Sequence, residues 1–203
     1  SERVRKAVNR AVDSGIPVVT TNADIDRTKR SCCVGADSHR GARIAGRMMG
    51  LFLGGKGKIA VVSSAIASEN NNYYVQVRET EFADFIHKTY PNMKIITMID
   101  SFEDPQITYQ KTVQLLQDYQ DLQGIYITCG GVSQVGRALE ESGRAKDIRV
   151  ISFEDYPEVV ELIRKDVIDC TLAGELQQQG EIPVQISMDY RVTSTSSFPK
   201  YFF

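Results

Sequence analysis

The 203-residue chain lacks tryptophan, has two histidines and carries no excess of charge of either sign, with 24 Lys and Arg against 26 Asp and Glu. This balance, with a pI of about 5.8, excludes a basic surface that would hold a nucleic-acid backbone electrostatically. No apolar run approaches the ~20 residues that cross a membrane, so we predict no membrane contact. No charged and then apolar leader opens the sequence, and we expect no targeting peptide.

The few cysteines and histidines are not spaced for metal binding. The cysteines are Cys32, Cys33, Cys129 and Cys170. Without a Cys-x-x-Cys pair, and with only His39 and His87 beside them, a zinc site is not expected and we predict no cofactor. Each cysteine lies in an apolar, strand-like segment, where a free thiol behaves as a small hydrophobic side chain. Reduced thiols favour a cytoplasmic location, which we therefore predict.

Short apolar runs alternate with amphipathic helical segments along the chain. The predicted strands are residues 16–21, 32–34, 58–63, 94–99, 124–128, 148–152 and 169–172, and the helices lie before Gly15 and at about 40–53, 74–88, 105–118, 133–142, 157–165 and 177–190. Strands that are apolar on both faces and separated by helices predict an α/β fold, with parallel sheets flanked by helices. Residues 193–197 are predicted as a loop and 201–203 as an edge strand. The sequence opens inside a helix, so we expect a fragment.

One motif resembles a phosphate-binding loop without its required context. Residues 50–57 (GLFLGGKG) nearly match G-x-x-x-x-G-K-[ST]. That chemistry needs a strand before the loop and a helix after it, whereas here a helix ends and a strand begins. A helix end followed by a tight turn explains the glycines. The sequence also has no G-x-S-x-G nucleophile elbow and no evident catalytic carboxylate pair, so we predict a protein that is not an enzyme.

Polar residues follow the predicted strands, where ligands of parallel α/β sheets bind. They are Asn22, Asp24, Asp37, Ser63, Ser64, Asp100, Ser101, Glu154, Asp155 and Glu175, while Gly130 and Gly131 follow the fifth strand. Carboxylates and amides form paired hydrogen bonds with adjacent hydroxyls, and an aromatic ring such as Tyr73 or Tyr74 covers a C–H face, so the set fits a polyhydroxyl ligand. Helix N-capping explains any single position more simply, but several strand ends together favour a binding cleft.

Eight ordered segments carry a family resemblance. They are residues 15–22 (GIPVVTTN), 34–37 (VGAD), 41–46 (GARIAG), 57–62 (GKIAVV), 77–82 (VRETEF), 121–126 (DLQGIY), 150–157 (VISFEDYP) and 168–172 (IDCTL). Together they resemble the periplasmic sugar-binding proteins of type I, and equally the effector domains of LacI/GalR transcription regulators, which share that fold. The resemblance runs from residue 1 to about residue 190.

The resemblance implies two Rossmann-like lobes joined by three crossing segments, with the ligand in the cleft between them. Residues 1–36 and 175–190 would form a partial N-terminal lobe, residues 38–174 the C-terminal lobe, and residues 191–203 a crossing segment and tail. The opening βα units of the first lobe would be absent from this sequence.

The resemblance also implies ligand contacts. To these we add Tyr73 and Arg78, which lie close to Gln76 in the sequence. The predicted ligand-binding residues are Asn22, Tyr73, Gln76, Arg78, Gly130, Glu154 and Glu175. Relatives commonly have Arg where Gln76 stands, and Arg78 is placed to take over its bonding. Relatives often have Asn or Asp where Gly130 stands, so a side-chain contact with the ligand is lost there. The carboxylates of Glu154 and Glu175 are costly to desolvate unless they meet several hydroxyls or a cation. The ligand class is therefore open beyond simple pentoses and hexoses, and includes polyols and amino-containing sugars.

Three functional hypotheses follow. The first is the effector-binding domain of a LacI-type regulator, in which cleft closure on a sugar or polyol changes the DNA affinity of a helix-turn-helix head absent from this sequence. That hypothesis predicts a cytoplasmic homodimer that contacts DNA only through the head. The alternative is a periplasmic or extracellular sugar-binding receptor of an ABC transporter, for which few cysteines are expected. The third is an enzyme or sensor-kinase module on the same fold.

Overall fold

A computed structural model describes residues 2–22, 24–25, 27–64, 73–193 and 201–202. Contacts divide the chain into two compact units. Unit 1 comprises Ser1–Asp37 and Gly174–Phe203, and unit 2 comprises Ser38–Ala173.

Helices and strands alternate along the chain. In order they are α1 (Glu2–Asp13), β1 (Val19–Thr21), β2 (Cys32–Gly35), α2 (Ser38–Phe52), β3 (Lys56–Ser63), α3 (Tyr73–Thr89), β4 (Asn92–Asp100), α4 (Pro105–Asp118), β5 (Gly124–Ile127), α5 (Val132–Glu141), β6 (Arg149–Phe153), α6 (Pro157–Arg164), β7 (Cys170–Leu172), α7 (Leu176–Thr193) and β8 (Tyr201–Phe202).

Unit 2 is built on a five-stranded parallel sheet with the order β4-β3-β5-β6-β7. Successive side chains of a strand point to opposite faces, and in β3 Val62 packs with Leu115 and Leu139 of α4 and α5. Its neighbour Val61 belongs to the cluster of Phe82 on the other face. Both faces are therefore buried under helices, as an all-parallel sheet requires.

Unit 1 contains a smaller parallel sheet with the order β1-β2-β8. Its core joins Cys32 and Val34 of β2 to Ile186 of α7, with Val19 and Ile182 packed against them. The predicted edge strand is confirmed for residues 201–202. Residue 193 is the last residue of α7. The rest of the loop predicted at residues 193–197 lies outside the described residues.

The predicted fold class, an α/β fold with parallel sheets flanked by helices, is confirmed. All seven strands predicted before the tail are present within a few residues of the expected positions. The first is shorter than predicted and begins at Val19, because Pro17 has no N–H to donate to a strand partner. The turn at residues 54–55 is also confirmed: both glycines have positive φ, and Gly55 N–H donates to Gly50 O at 2.8 Å.

The cysteines are free thiols, and Cys32, Cys33 and Cys129 are buried, whereas Cys170 is partly buried. Burial raises the pKa of the Cys32, Cys129 and Cys170 thiols. Within the described residues, no cluster of three or more potential metal ligands occurs. Across the same residues, no helix combines the length and apolar character needed to cross a membrane.

Candidate ligand-binding site

The carboxyl ends of β3, β4, β5 and β6 meet at one edge of the unit 2 sheet, as they must when strands run in parallel. Buried polar side chains are concentrated there, including Ser64, Asp100, Ser101 and Thr128. We call this region the carboxyl edge and define it as residues 63–64, 100–103, 128–131 and 153–154. Its strand-end loops are fixed to the sheet by backbone hydrogen bonds, such as Ser101 N–H to Ser63 O at 2.6 Å.

Arg78 of α3 reaches the carboxyl edge as a nearly buried cation. Its side chain is 13% exposed, and its Nη2 lies 4.0 Å from Glu154 Oε1. Nη1 donates a hydrogen bond to Thr128 O at 3.0 Å, and the guanidinium carbon lies 3.8 Å from the centroid of the Phe153 ring. Burial lowers the pKa of Arg78, an effect opposed by the neighbouring Tyr126 and Glu154. An arginine remains charged under these conditions, so the site holds a fixed donor group.

Glu154 presents a carboxylate beside this cation from a constrained backbone. Its φ is 76°, a left-handed conformation that is costly for a residue other than glycine and occurs often at functional sites. Its N–H donates to Leu172 O at 2.9 Å, and its carbonyl accepts from Thr171 Oγ1 at 2.5 Å. The carboxylate is 38% exposed. Because 4.0 Å is longer than a hydrogen bond, both Arg78 and Glu154 keep capacity for a further partner.

The loop after β4 adds a second carboxylate and an exposed aromatic ring. Phe102 and Glu103 both have left-handed φ values, 52° and 55°, and Phe102 is 50% exposed. Ser64 Oγ donates to Glu103 Oε1 at 3.1 Å. Ser101 Oγ lies 3.4 Å from Cys129 Sγ, so this loop contacts the loop after β5. The carboxyl edge therefore carries carboxylates on both sides of the β5 loop.

Close to the carboxyl edge lies a partly buried carboxyl group, Glu79, that was not predicted from the sequence. Glu79 Oε1 is buried with no hydrogen-bond partner among the described residues. Burial and the nearby Asp100 raise the pKa of Glu79 to about 7. The Tyr126 ring, stacked on Phe82 with centroids 4.0 Å apart, also lies within electrostatic range of Glu79. Burial raises the pKa of the Tyr126 hydroxyl, so it stays protonated.

The structure brings together two of the predicted ligand-binding residues, Arg78 and Glu154. Gly130 also lies on the carboxyl edge and is exposed. Tyr73 begins α3 and is exposed, with its ring in an edge-to-face contact with Tyr74 at 6.0 Å. Gln76 lies in the same helix and is partly buried. Contact with a ligand stays a prediction for each of these five predicted residues.

The other two predicted residues, Asn22 and Glu175, lie in unit 1. Asn22 follows β1 with a φ of 61°, and its N–H donates to Val34 O at 2.9 Å. Glu175 precedes α7, and its carbonyl accepts from Gln179 N–H at 3.0 Å. Both residues are exposed. Their roles in ligand binding stay predictions.

Several contributors to the site were not predicted from the sequence, among them Phe153 and Thr128. Phe153 is the last residue of an apolar strand and could not be distinguished from a core residue, and Thr128 contributes a backbone carbonyl, which no side-chain pattern reveals. Glu79 had a usable signal. It lies four residues after Val75 and three before Phe82, both buried, so it occupies the core-facing stripe of α3.

The carboxyl edge gathers polar groups at the ends of parallel strands, the place where α/β sheets bind their ligands. Comparison with known protein families shows which family the chain belongs to. The family described as Periplasmic binding protein domain matches residues 1–192, and the chain belongs to this family.

Solved structures with the same fold include several sugar-binding proteins. A sugar-binding protein of a sugar ABC transporter from Bacillus halodurans has a TM-score of 0.88 and 25% identity, with 98% of this chain and 70% of that chain covered. AraP, an arabinose binding protein from Geobacillus stearothermophilus, has a TM-score of 0.86 and 26% identity, covering 98% and 69%. An ABC transporter solute binding protein from Burkholderia graminis, in complex with D-arabinose, has a TM-score of 0.89 at 20% identity, covering 99% and 69%, and this likeness concerns the fold alone.

These relatives favour the transporter hypothesis over the regulator hypothesis. The proteins compared are named as ABC transporter or sugar-binding proteins, and neither a LacI-type regulator, a DNA-binding head nor a homodimer is supported by them. The preference for a regulator depended on the four cysteines and on the expectation that no targeting peptide is present. Free cysteines pack as small hydrophobic side chains, so their number is a weak guide to compartment. The cytoplasmic location stays an untested prediction.

Proposed function

We propose that this protein is a sugar-binding receptor of an ABC transporter and that the carboxyl edge of unit 2 contacts the sugar. The observation that carries the proposal is the group formed by Arg78, Phe153 and Glu154. It places a cation and a partly exposed carboxylate 4.0 Å apart at the ends of parallel strands. Membership of the periplasmic binding protein family and the sugar-binding relatives support the same conclusion.

The chemistry of the edge fits a neutral sugar. Carboxylate oxygens only accept hydrogen bonds, so Glu154 suits ligand hydroxyls, while the guanidinium of Arg78 donates to ligand oxygens. A negatively charged sugar would be repelled by the carboxylates of Glu154 and Glu103, so its binding is disfavoured. Tyr73 and Tyr156 are exposed, and aromatic rings of this kind cover the C–H faces of sugars.

Isothermal titration calorimetry with a set of monosaccharides tests the sugar-binding proposal. We would titrate the purified protein with D-arabinose, D-fucose, D-glucose and D-galactose and expect at least one to bind. In Glu154→Gln the charge is lost but the shape is kept, and we expect binding to weaken by about 1.5–3 kcal/mol, the contribution of a hydrogen bond to a charged group.

Glu158→Gln is the matched control, because Glu158 is exposed in the first turn of α6 and undergoes the same chemical change. We expect its affinity to equal that of the parent. The sugar-binding proposal is wrong if the parent binds neither these monosaccharides nor a disaccharide. The assignment of the site is wrong if Glu154→Gln binds as tightly as the parent.

A second experiment addresses the transporter assignment. Cell fractionation of the native protein should find a transporter receptor outside the cytoplasmic membrane. Recovery solely from the cytoplasm, together with specific retention on DNA, would instead support the regulator hypothesis.

A further inference from the structure

Gly130 is an exposed glycine that the fold does not require. It follows β5 on the carboxyl edge, and its φ lies outside the left-handed region. A Cβ atom built on it would have no heavy atom within 4 Å among the described residues. Neither backbone conformation nor packing within the described structure explains the missing side chain.

The adjacent glycine provides the contrast. Gly131 has a φ of 94°, and a Cβ atom there would lie 2.8 Å from Thr108 Cγ2. The backbone and the packing both select glycine at residue 131. Of these two adjacent glycines, Gly130 alone has no heavy atom of the described residues within 4 Å of a built Cβ.

The open space at Gly130 lies among groups that recognise sugars. On one side, Ser101 contacts Cys129, so the β4 loop with Phe102 and Glu103 adjoins the β5 loop. On the other side, β6 pairs with β5 and ends beside Glu154. Phe102 offers a half-exposed ring, and Lys111 Nζ lies 4.6 Å from the centroid of that ring.

We propose that Gly130 makes room for a second sugar ring, so that the protein prefers a disaccharide to a monosaccharide. The proposal rests on the function proposed above and names its substrate class. One ring contacts Arg78 and Glu154, and the second ring crosses Gly130 towards Phe102 and Glu103. The Phe102 ring covers a C–H face of the second ring, and the Glu103 carboxylate accepts its hydroxyl hydrogens.

Calorimetry with two sets of sugars tests the preference. We would titrate the purified protein with the four monosaccharides named above and with lactose, maltose, cellobiose and sucrose. We expect at least one disaccharide to bind ten or more times as tightly as the best monosaccharide, on the order of 1.4 kcal/mol. If the best monosaccharide binds as tightly as every disaccharide, this inference is wrong and the proposed function stands. If no sugar binds, the proposed function fails as well.

A variant pair tests the role of residue 130. In Gly130→Asn the new side chain enters the open space, so we expect disaccharide affinity to fall by about tenfold or more while monosaccharide affinity changes less than about threefold. Gly180→Asn in α7 is the matched control, since Gly180 is exposed, lacks a left-handed φ and has no heavy atom within 4 Å of a built Cβ among the described residues. Melting followed by circular dichroism verifies that both variants fold. Equal losses for both sugar classes in Gly130→Asn would overturn the proposal.

Discussion

The guanidinium carbon of Arg78 lies 3.8 Å from the centroid of the Phe153 ring. This contact connects α3 to the end of β6, and the hydrogen bond from Arg78 to Thr128 O connects the same side chain to the end of β5. A flat cation stacked on an aromatic ring and held by a carbonyl has little freedom. The donor group of the proposed site is thus preorganised by two strands before a ligand arrives.

Arg78→Lys should weaken sugar binding. A lysine keeps the charge but has a compact ammonium group, which cannot stack as a flat group on Phe153 while donating to Thr128 O. We expect a loss of about 1.5–3 kcal/mol in binding free energy, as for other charged hydrogen bonds. Calorimetry with the tightest-binding sugar measures it.

Arg137→Lys is the control for the Arg78 experiment. The Arg137 guanidinium carbon lies 4.5 Å from the centroid of the Tyr109 ring, but the Arg137 side chain is exposed on α5, outside the carboxyl edge. We expect its sugar affinity to match that of the parent. Equal affinities for Arg78→Lys and the parent would show that Arg78 does not hold the ligand.

Arg144→Ala should destabilise unit 2. The guanidinium of Arg144 donates to the carbonyls of Leu116, Tyr119, Gln120 and Leu122, at 3.0–3.1 Å. These carbonyls belong to the end of α4 and the turn into β5, where a helix leaves acceptors unpaired. We expect unfolding free energy to fall by roughly 1.5–3 kcal/mol, measured by urea denaturation.

Lys146→Ala, two residues further on at an exposed position, removes a nearby positive charge without removing these hydrogen bonds. Its stability should stay within about 0.5 kcal/mol of the parent, as for most surface substitutions. A similar loss in both variants would attribute the effect of Arg144 to charge rather than to its hydrogen bonds.

Local signals explain why the elements could be predicted from the sequence. The helix predicted at residues 105–118 is observed with those bounds, because Pro105 suits the first turn and Asp104 caps it. Asp104 Oδ1 accepts from Ile107 N–H at 2.9 Å. Each of these determinants lies within a few residues of the helix end it sets.

The site was only partly predictable, because its contacts join residues far apart in the chain. Arg78 and Thr128 are separated by 50 positions, and the contact involves a backbone carbonyl. The position after a strand end, together with the family resemblance, identified Glu154 and Gly130, but neither could show that Phe153 supports Arg78. The functional class was harder still, since one fold serves both regulators and transport receptors.

Glu79→Gln should change how stability depends on pH. The pKa of Glu79 is raised from its usual 4.5 to about 7 in the folded protein by burial and by Asp100. Between these values the folded protein holds a proton that the unfolded chain has lost, so the contribution of Glu79 to stability falls as pH rises. Above pH 7 Glu79 is ionised in both the folded and the unfolded protein, so its effect on stability no longer changes with pH. A glutamine cannot ionise, so it avoids this loss.

We therefore expect Glu79→Gln to gain stability relative to the parent as pH rises from about 4.5 to 7 and to keep that gain at pH 8. Each pKa unit corresponds to about 1.4 kcal/mol, and because the side chain is only partly buried, solvent screening should reduce the gain to roughly 1–2 kcal/mol. Urea denaturation at several pH values measures it, with Glu140→Gln, exposed on α5, as the control. A difference between Glu79→Gln and the parent that does not vary with pH would mean that Glu79 ionises normally in the folded protein.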